Sequence, residues 1–153
     1  MKKILVLCIG NSCRSQMLEG YLRYFLEEKS KEYLEKTPPQ VLEQTFVYSA
    51  GIETHGVNPR AVAVMLEDEI DISAQVSTNV EEYKNEEFDF VITVCDDANR
   101  LCPVFPAKTA RLHHPFADPA LAEATGTEEE ILSEFRKVRK MIKIFAEKFV
   151  KEL

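Results

Sequence analysis

Cys8-Ile9-Gly10-Asn11-Ser12-Cys13-Arg14-Ser15 gathers two thiols, a glycine, two hydroxyls and a guanidinium into one short run. Four uses come to mind: a disulfide, a metal site, an anion cradle and a reactive thiol. Backbone N–H groups at a strand-to-helix turn bind an oxyanion when they point inward, helped by the helix dipole. Gly10 would permit the turn. Arg14 can hold a tetrahedral oxyanion with two parallel hydrogen bonds. The same positive surroundings favour the thiolate of Cys8 and so activate it as a nucleophile. Ser15 is placed to donate a hydrogen bond to that thiolate. The bland alternative is a cysteine that merely packs at a strand end, and this is the reading adopted for Cys13. A zinc site is disfavoured by spacing. "CIGNSC" has four intervening residues and "CDDANRLC" six, against the short hooks that zinc favours.

These residues need elements to carry them. Lys3 to Cys8 reads as a strand buried on both faces. A helix begins near Ser15, because Met17, Leu18, Tyr21, Leu22, Phe25 and Leu26 recur at helical spacing. Lys29 to Gln44 is polar and reads as the tail of that helix plus a solvent-facing excursion, with Pro38-Pro39 stopping any helix. Thr45 to Ala50 is a second strand. Asn58 caps a second helix with Pro59 at its first position. A short helix lies within Ser77 to Phe88. Phe88 to Cys95 and Thr109 to His114 are the third and fourth strands. Thr127 and Glu130 form a capping box that opens a long final helix. Its apolar stripe is Ile131, Phe135, Val138, Ile142, Phe145 and Phe149.

Strands alternating with helices predict an α/β fold, a four-stranded parallel sheet with helices on both faces, in a single domain over 1–153. Ligands of such sheets bind beyond the carboxyl ends of the strands. Cys8, Cys95 and His113-His114 end three of the strands, so these segments should converge on one edge.

The chain has 153 residues, 45% hydrophobic and 29% charged, with a net charge of -7. That charge argues against nucleic acid as a partner, although a local site can still bind a small anion. No apolar run approaches the ~20 residues that cross a bilayer, so no membrane association is expected. "MKKILVLC" imitates a lipoprotein signal, but Ile4 to Leu7 is too short an apolar stretch and Leu7 is not the small residue that cleavage wants. A cytoplasmic, monomeric protein is the expectation, and its four cysteines are then expected reduced, catalytic or redox-active rather than joined in structural disulfides.

With these residues in view, the chain resembles a known family. "CIGNSCRSQMLEG" is similar to the active-site loop of the low-molecular-weight protein tyrosine phosphatase superfamily and, more narrowly, of the thioredoxin-coupled arsenate reductases. "YSAGIETHGVNPRA" resembles a second signature of the reductases, "VITVCDDANRLCPVFP" their redox segment, "HHPFADPA" their general-acid loop and "SEFRKVRKMI" their final helix. The likeness spans nearly the whole chain except Lys29 to Gln44, which is longer than the family pattern.

The resemblance implies arsenate or a phosphate-like oxyanion as substrate, bound by the amides of Ile9, Gly10, Asn11, Ser12, Cys13 and Arg14 and by the Arg14 side chain. Cys8 would attack arsenate and Asp118 would protonate the leaving oxygen. Cys95 and then Cys102 would pass a disulfide outward to thioredoxin. No organic cofactor is implied. A potassium ion beside the loop is implied by Asn11, Glu19 and Ser49, but the fourth position, an Asp in the family, is Thr78 here.

Two other readings compete. A phosphotyrosine phosphatase would use Cys8, Arg14 and Asp118 with water, through a phosphocysteine. It leaves Cys95 and Cys102 idle and finds Ala120 where the phosphatases carry an aromatic residue. A non-catalytic oxyanion or thiol sensor would leave the whole set of reactive groups unused. His55 is assigned a structural role, and His113 and His114 none.

Overall fold

In a computed structural model, residues 1–36, 43–95 and 104–153 are described. Four strands, β1 (Lys2–Cys8), β2 (Thr45–Gly51), β3 (Phe90–Thr93) and β4 (Ala110–His113), form one sheet in the order β2-β1-β3-β4. Every pairing is parallel, with Cys8 opposite Gly51, Leu7 opposite Thr93, and Thr93 opposite His113. The carboxyl ends of all four strands therefore lie on one edge.

Strand β1 is central and fully enclosed from Ile4 to Leu7. Its side chains alternate between two cores, as the twofold period of a strand requires. Ile4, Val6 and Cys8 face one core with Val47, Ile92 and Val94. Leu5 and Leu7 face the other with Ala50, Phe88, Val91 and Phe105.

The first core is roofed by three helices, α1 (Arg14–Lys36), α2 (Pro59–Glu67) and α3 (Glu128–Glu152). The second is covered, among the described residues, by a 3₁₀ turn at Val80–Tyr83 and an aromatic group. Tyr48, Tyr83, Phe88 and Phe105 meet there edge to face at 5.5–5.8 Å between ring centroids, the geometry that ring quadrupoles favour. Among the described residues, helical cover on the two faces is thus unequal.

The helix boundaries follow local chemistry. Asn58 caps α2 by accepting from the N–H groups of Arg60 and Ala61, with Pro59 behind it. Thr127 and Glu130 close a reciprocal capping box on α3. Helix α1 runs on to Lys36, well beyond its apolar stripe. Lys29 anchors its second half, donating through Nζ to the carbonyls of Val150 and Leu153 at the end of α3. Pro38-Pro39 and the rest of residues 37–42 lie outside the described residues.

The stripe on α3 departs from the expected one. Burial follows Ile131, Phe135, Val138 and Ile142, then moves to Ala146 and Val150 rather than Phe145 and Phe149. Phe145 and Phe149 land at the rim, against Phe116, His114 and Phe90. His113 ends β4 and His114 follows it at the expected edge, the first hydrogen-bonded and the second against aromatic rings. His113 Nδ1 pairs with Thr93 Oγ1 at 2.7 Å, and the His114 ring lies 4.6 Å from that of Phe116.

A charged cluster ties α2 to α3. Glu67 receives Arg136 Nε at 3.0 Å and Arg139 Nη1 at 2.6 Å, and Arg139 also donates to the Val64 carbonyl. The Arg136 and Arg139 hydrogen bonds hold the Glu67 carboxyl down at about 2. A depressed carboxyl stabilises the fold above its unfolded value near 4.5, and this stability is lost as pH falls towards 2. Because Glu67 is 40% exposed, solvent screens the effect. Glu67→Gln should lower Tm at pH 7 by roughly 2 °C. Thermal scans should show that difference shrinking between pH 4.5 and pH 2.

Candidate functional site

The first reactive residue, Cys8, is the last of β1, and Arg14 is the first of α1. The five residues between them form a loop whose carbonyls are all taken up by outside donors. Ile9 O accepts from Glu53 N at 2.9 Å, Gly10 O from His55 N at 3.2 Å and Ser12 O from Asn58 N at 3.0 Å. Asn11 O accepts from Gln16 Nε2 at 3.0 Å, and Cys13 O from Met17 N at 2.9 Å.

In a trans peptide, C=O and the next N–H point in opposite directions. Carbonyls turned outward therefore turn the N–H groups of Gly10, Asn11, Ser12, Cys13 and Arg14 inward. The result is a ring of donors at the head of a helix, suited to a tetrahedral oxyanion. The left-handed residue of this turn is Asn11, at φ 48°, and not Gly10. Gly10 makes room for the His55 ring instead: a Cβ there would stand 2.6 Å from His55 Cδ2, and the exposed imidazole would have to shift. Gly51 is needed for space, since a Cβ would meet Ile9 O at 2.5 Å.

A pocket of about 350 Å³ opens at this ring, lined by residues 8 to 14 with His55, Asn58, Asp118 and Ala120. A larger cleft of about 840 Å³ between α1 and β2 has neither cysteine nor histidine among its lining residues. The smaller pocket is the one with chemistry.

Cys8, Cys13 and Cys95 are buried cysteines. The Cys8 thiol lies at about 7, below its usual value. The chief cause is a hydrogen bond from Cys95; Arg14 and the Ile9 N–H add to it, while burial and Asp118 oppose it. Cys13 goes the other way. Burial, reinforced by the charges of Asp118 and Glu123, pushes it up to about 12. One thiol of the loop is thus poised to ionise near neutral pH, and the other stays protonated.

Arg14 donates through Nη1 to the Phe116 carbonyl at 3.1 Å, and its Nη2 lies 3.7 Å from Asp118 Oδ2. That spacing puts Asp118 over the mouth of the ring. Its other oxygen, Oδ1, accepts from Ala120 N and so caps the 3₁₀ turn Pro119–Ala124. Capping and facing the pocket coexist in one carboxylate.

Ser15 is fully buried, and its Oγ accepts from Asn11 Nδ2 at 2.8 Å. It braces the left-handed residue of the loop. Cys95 lies just past β3 with its thiol on Cys8, as the strand order requires. Cys102 lies outside the described residues.

Asn11, Glu19, Ser49 and Thr78 do come together, but they bind one another. Asn11 Nδ2 donates to Ser49 Oγ, Ser49 Oγ to Glu19 Oε1, and Thr78 N to Asn11 Oδ1. Arg23 Nε lies 3.0 Å from Glu19 Oε2 and meets its charge. These four residues are thus knit together by their own hydrogen bonds, with the Glu19 carboxylate paired to Arg23.

Sequence reasoning missed the outer brace of the loop: Glu53, His55, Asn58, Gln16 and Ser77, whose Oγ also donates to Gly10 O. Three of them act through backbone N–H groups, which leave no mark on residue type.

Residues 3–153 match the family described as low molecular weight phosphotyrosine protein phosphatase. An arsenate reductase of Halalkalibacterium halodurans is 46% identical over 150 residues, covering 95% of this chain and 96% of that protein. One of Oceanobacillus iheyensis is 43% identical over 149 residues, covering 95% of each. A solved arsenate reductase in a phosphate-binding state superposes with a TM-score of 0.75 at 30% identity, covering 99% of this chain and 98% of that one. With its strand order, its anion loop and its poised Cys8 in agreement, the chain belongs to the low molecular weight phosphotyrosine protein phosphatase family, with arsenate reductases among its relatives.

Proposed function

We propose that this protein is an arsenate reductase working by a thiol relay. The observation that carries the reading is the Cys95 thiol hydrogen-bonded to Cys8 beneath the anion loop. Hydrolysis has no use for a second thiol there. The Cys8 thiolate attacks arsenic held by the loop N–H groups and Arg14, forming an S–As bond. Asp118 gives its proton to the departing oxygen, which leaves as water. Cys95, as thiolate, then attacks Cys8 sulfur. The S–As bond breaks with its electron pair going to arsenic, so arsenic(V) leaves as arsenite and a Cys8–Cys95 disulfide remains.

Cys102 attacks Cys95 in turn, which frees Cys8 as thiolate and leaves a Cys95–Cys102 disulfide for thioredoxin to reduce. Each sulfur is attacked by the next thiolate, as disulfide exchange requires. In this reading the protein is a cytoplasmic monomer. Cys8, Arg14 and Asp118 together also suit attack on a phosphate ester, so weak phosphatase activity accompanies the reduction.

An assay coupling arsenate to NADPH through thioredoxin and its reductase tests this, run beside hydrolysis of p-nitrophenyl phosphate. Cys102→Ser should abolish turnover yet release one arsenite per chain and trap Cys8–Cys95. Unchanged turnover in Cys95→Ser or Cys102→Ser would refute the relay, and ester hydrolysis without arsenate reduction would assign the phosphatase.

Cys8 should also alkylate with a midpoint near pH 7, read with iodoacetamide and mass spectrometry. Removing its chief hydrogen-bond donor in Cys95→Ala should move the midpoint upward.

A further inference from the structure

We propose that Asn58 and Glu123 form a joint that positions Asp118 over the nucleophile, a role that rests on the reading of Asp118 as the acid. Asn58 makes three kinds of contact at once. Its N–H holds the anion loop, donating to Ser12 O at 3.0 Å. Its Oδ1 caps α2. Its Nδ2 donates to Glu123 Oε1 at 2.9 Å.

Glu123 belongs to the 3₁₀ turn Pro119–Ala124, which Asp118 caps. Arg60, from the first turn of α2, holds the other Glu123 oxygen at 2.6 Å and braces itself on Glu128 at 2.8 Å. One side chain thus ties the loop that binds the anion to the turn that carries the acid. The Asp118 side chain is 28% exposed and, apart from Arg14 at 3.7 Å and the Ala120 N–H, owes its place to that turn. Proton transfer is sensitive to such placement, since a positioned acid is worth about 10²–10⁴-fold and a misplaced one loses much of it.

Asn58 and Glu123 are positioning residues, so the test must separate action through Asp118 from general damage. Arsenite release is measured in a single turnover of the reduced protein. Asn58→Ser keeps a capping oxygen and removes Nδ2; Glu123→Ala removes the acceptor and leaves the cap untouched. Each is made with and without Asp118→Asn. Each should slow release about tenfold when Asp118 is present, and less than about twofold in the Asp118→Asn background. Glu123→Gln, which keeps the acceptor, should restore most of the rate. Phosphate, read as a competitor, should bind each Asn58 or Glu123 variant within about twofold of its own parent, with or without Asp118→Asn.

Equal slowing in both backgrounds, or none in either variant, overturns the joint. If Asp118→Asn alone leaves the rate unchanged, the acid assignment falls and takes the joint with it. That outcome is distinct, because it is read without touching Asn58 or Glu123. If the wild type releases no arsenite, kcat/KM for phenyl phosphate runs the same cycle, since its first attack needs the same acid. Inactivity on both substrates overturns acid and joint together.

Discussion

Everything in this molecule's chemistry depends on keeping the carbonyls of residues 9 to 13 turned outward. Left alone, so short a loop would have no reason to aim its N–H groups at a common centre, because parallel N–H dipoles repel and carbonyls seek water. The cost is met by partners on the outside: Glu53, His55 and Asn58 from the segment after β2, Gln16 and Met17 from α1. Asn11 accepts a left-handed backbone because Ser15, Ser49 and Thr78 hold its side chain. The anion site is therefore shaped from outside as much as by its own loop residues.

The same arrangement sorts the thiols. Cys8 and Cys13 both line the pocket and both are buried. Burial penalises either thiolate: at Cys13 it dominates, and at Cys8 the neighbours overcome it. Cys8 has Cys95, the Ile9 N–H and Arg14 to carry its negative charge. Cys13 faces Asp118 and Glu123. A hydrogen bond at one thiol and desolvation at the other separate two cysteines five positions apart, and this keeps Cys13 out of disulfide exchange near neutral pH.

Much of the fold was legible in the sequence, because it rests on periodicity and caps that are local. The apolar run ending in Cys8, the Asn58-Pro59 start of α2 and the Thr127–Glu130 box each announce themselves within a few residues. Errors arose where a local pattern met a tertiary surface. Phe145 and Phe149 fit the apolar spacing and pack against the core, yet they are only half-buried, while Ala146 and Val150 are enclosed. Gly10 was read as the flexible point of the turn, yet the left-handed residue is Asn11 and the glycine makes room for His55. Neither outcome can be read from neighbours in sequence.

The sequence by itself determined which groups are present and in which order: a thiol ending a strand, an arginine opening a helix, a second thiol after β3 and an aspartate before a proline. Strand order then brings them to one edge. Tertiary structure alone decided how these groups act on each other. It set the Cys95 thiol on Cys8, placed Asp118 beside Arg14, and closed the Asn11, Glu19, Ser49 and Thr78 network with Arg23. The physical reason is that residue identity fixes what a group can donate, accept or ionise. Its pKa and its partner depend on distances between segments far apart in the chain, and only packing sets those distances.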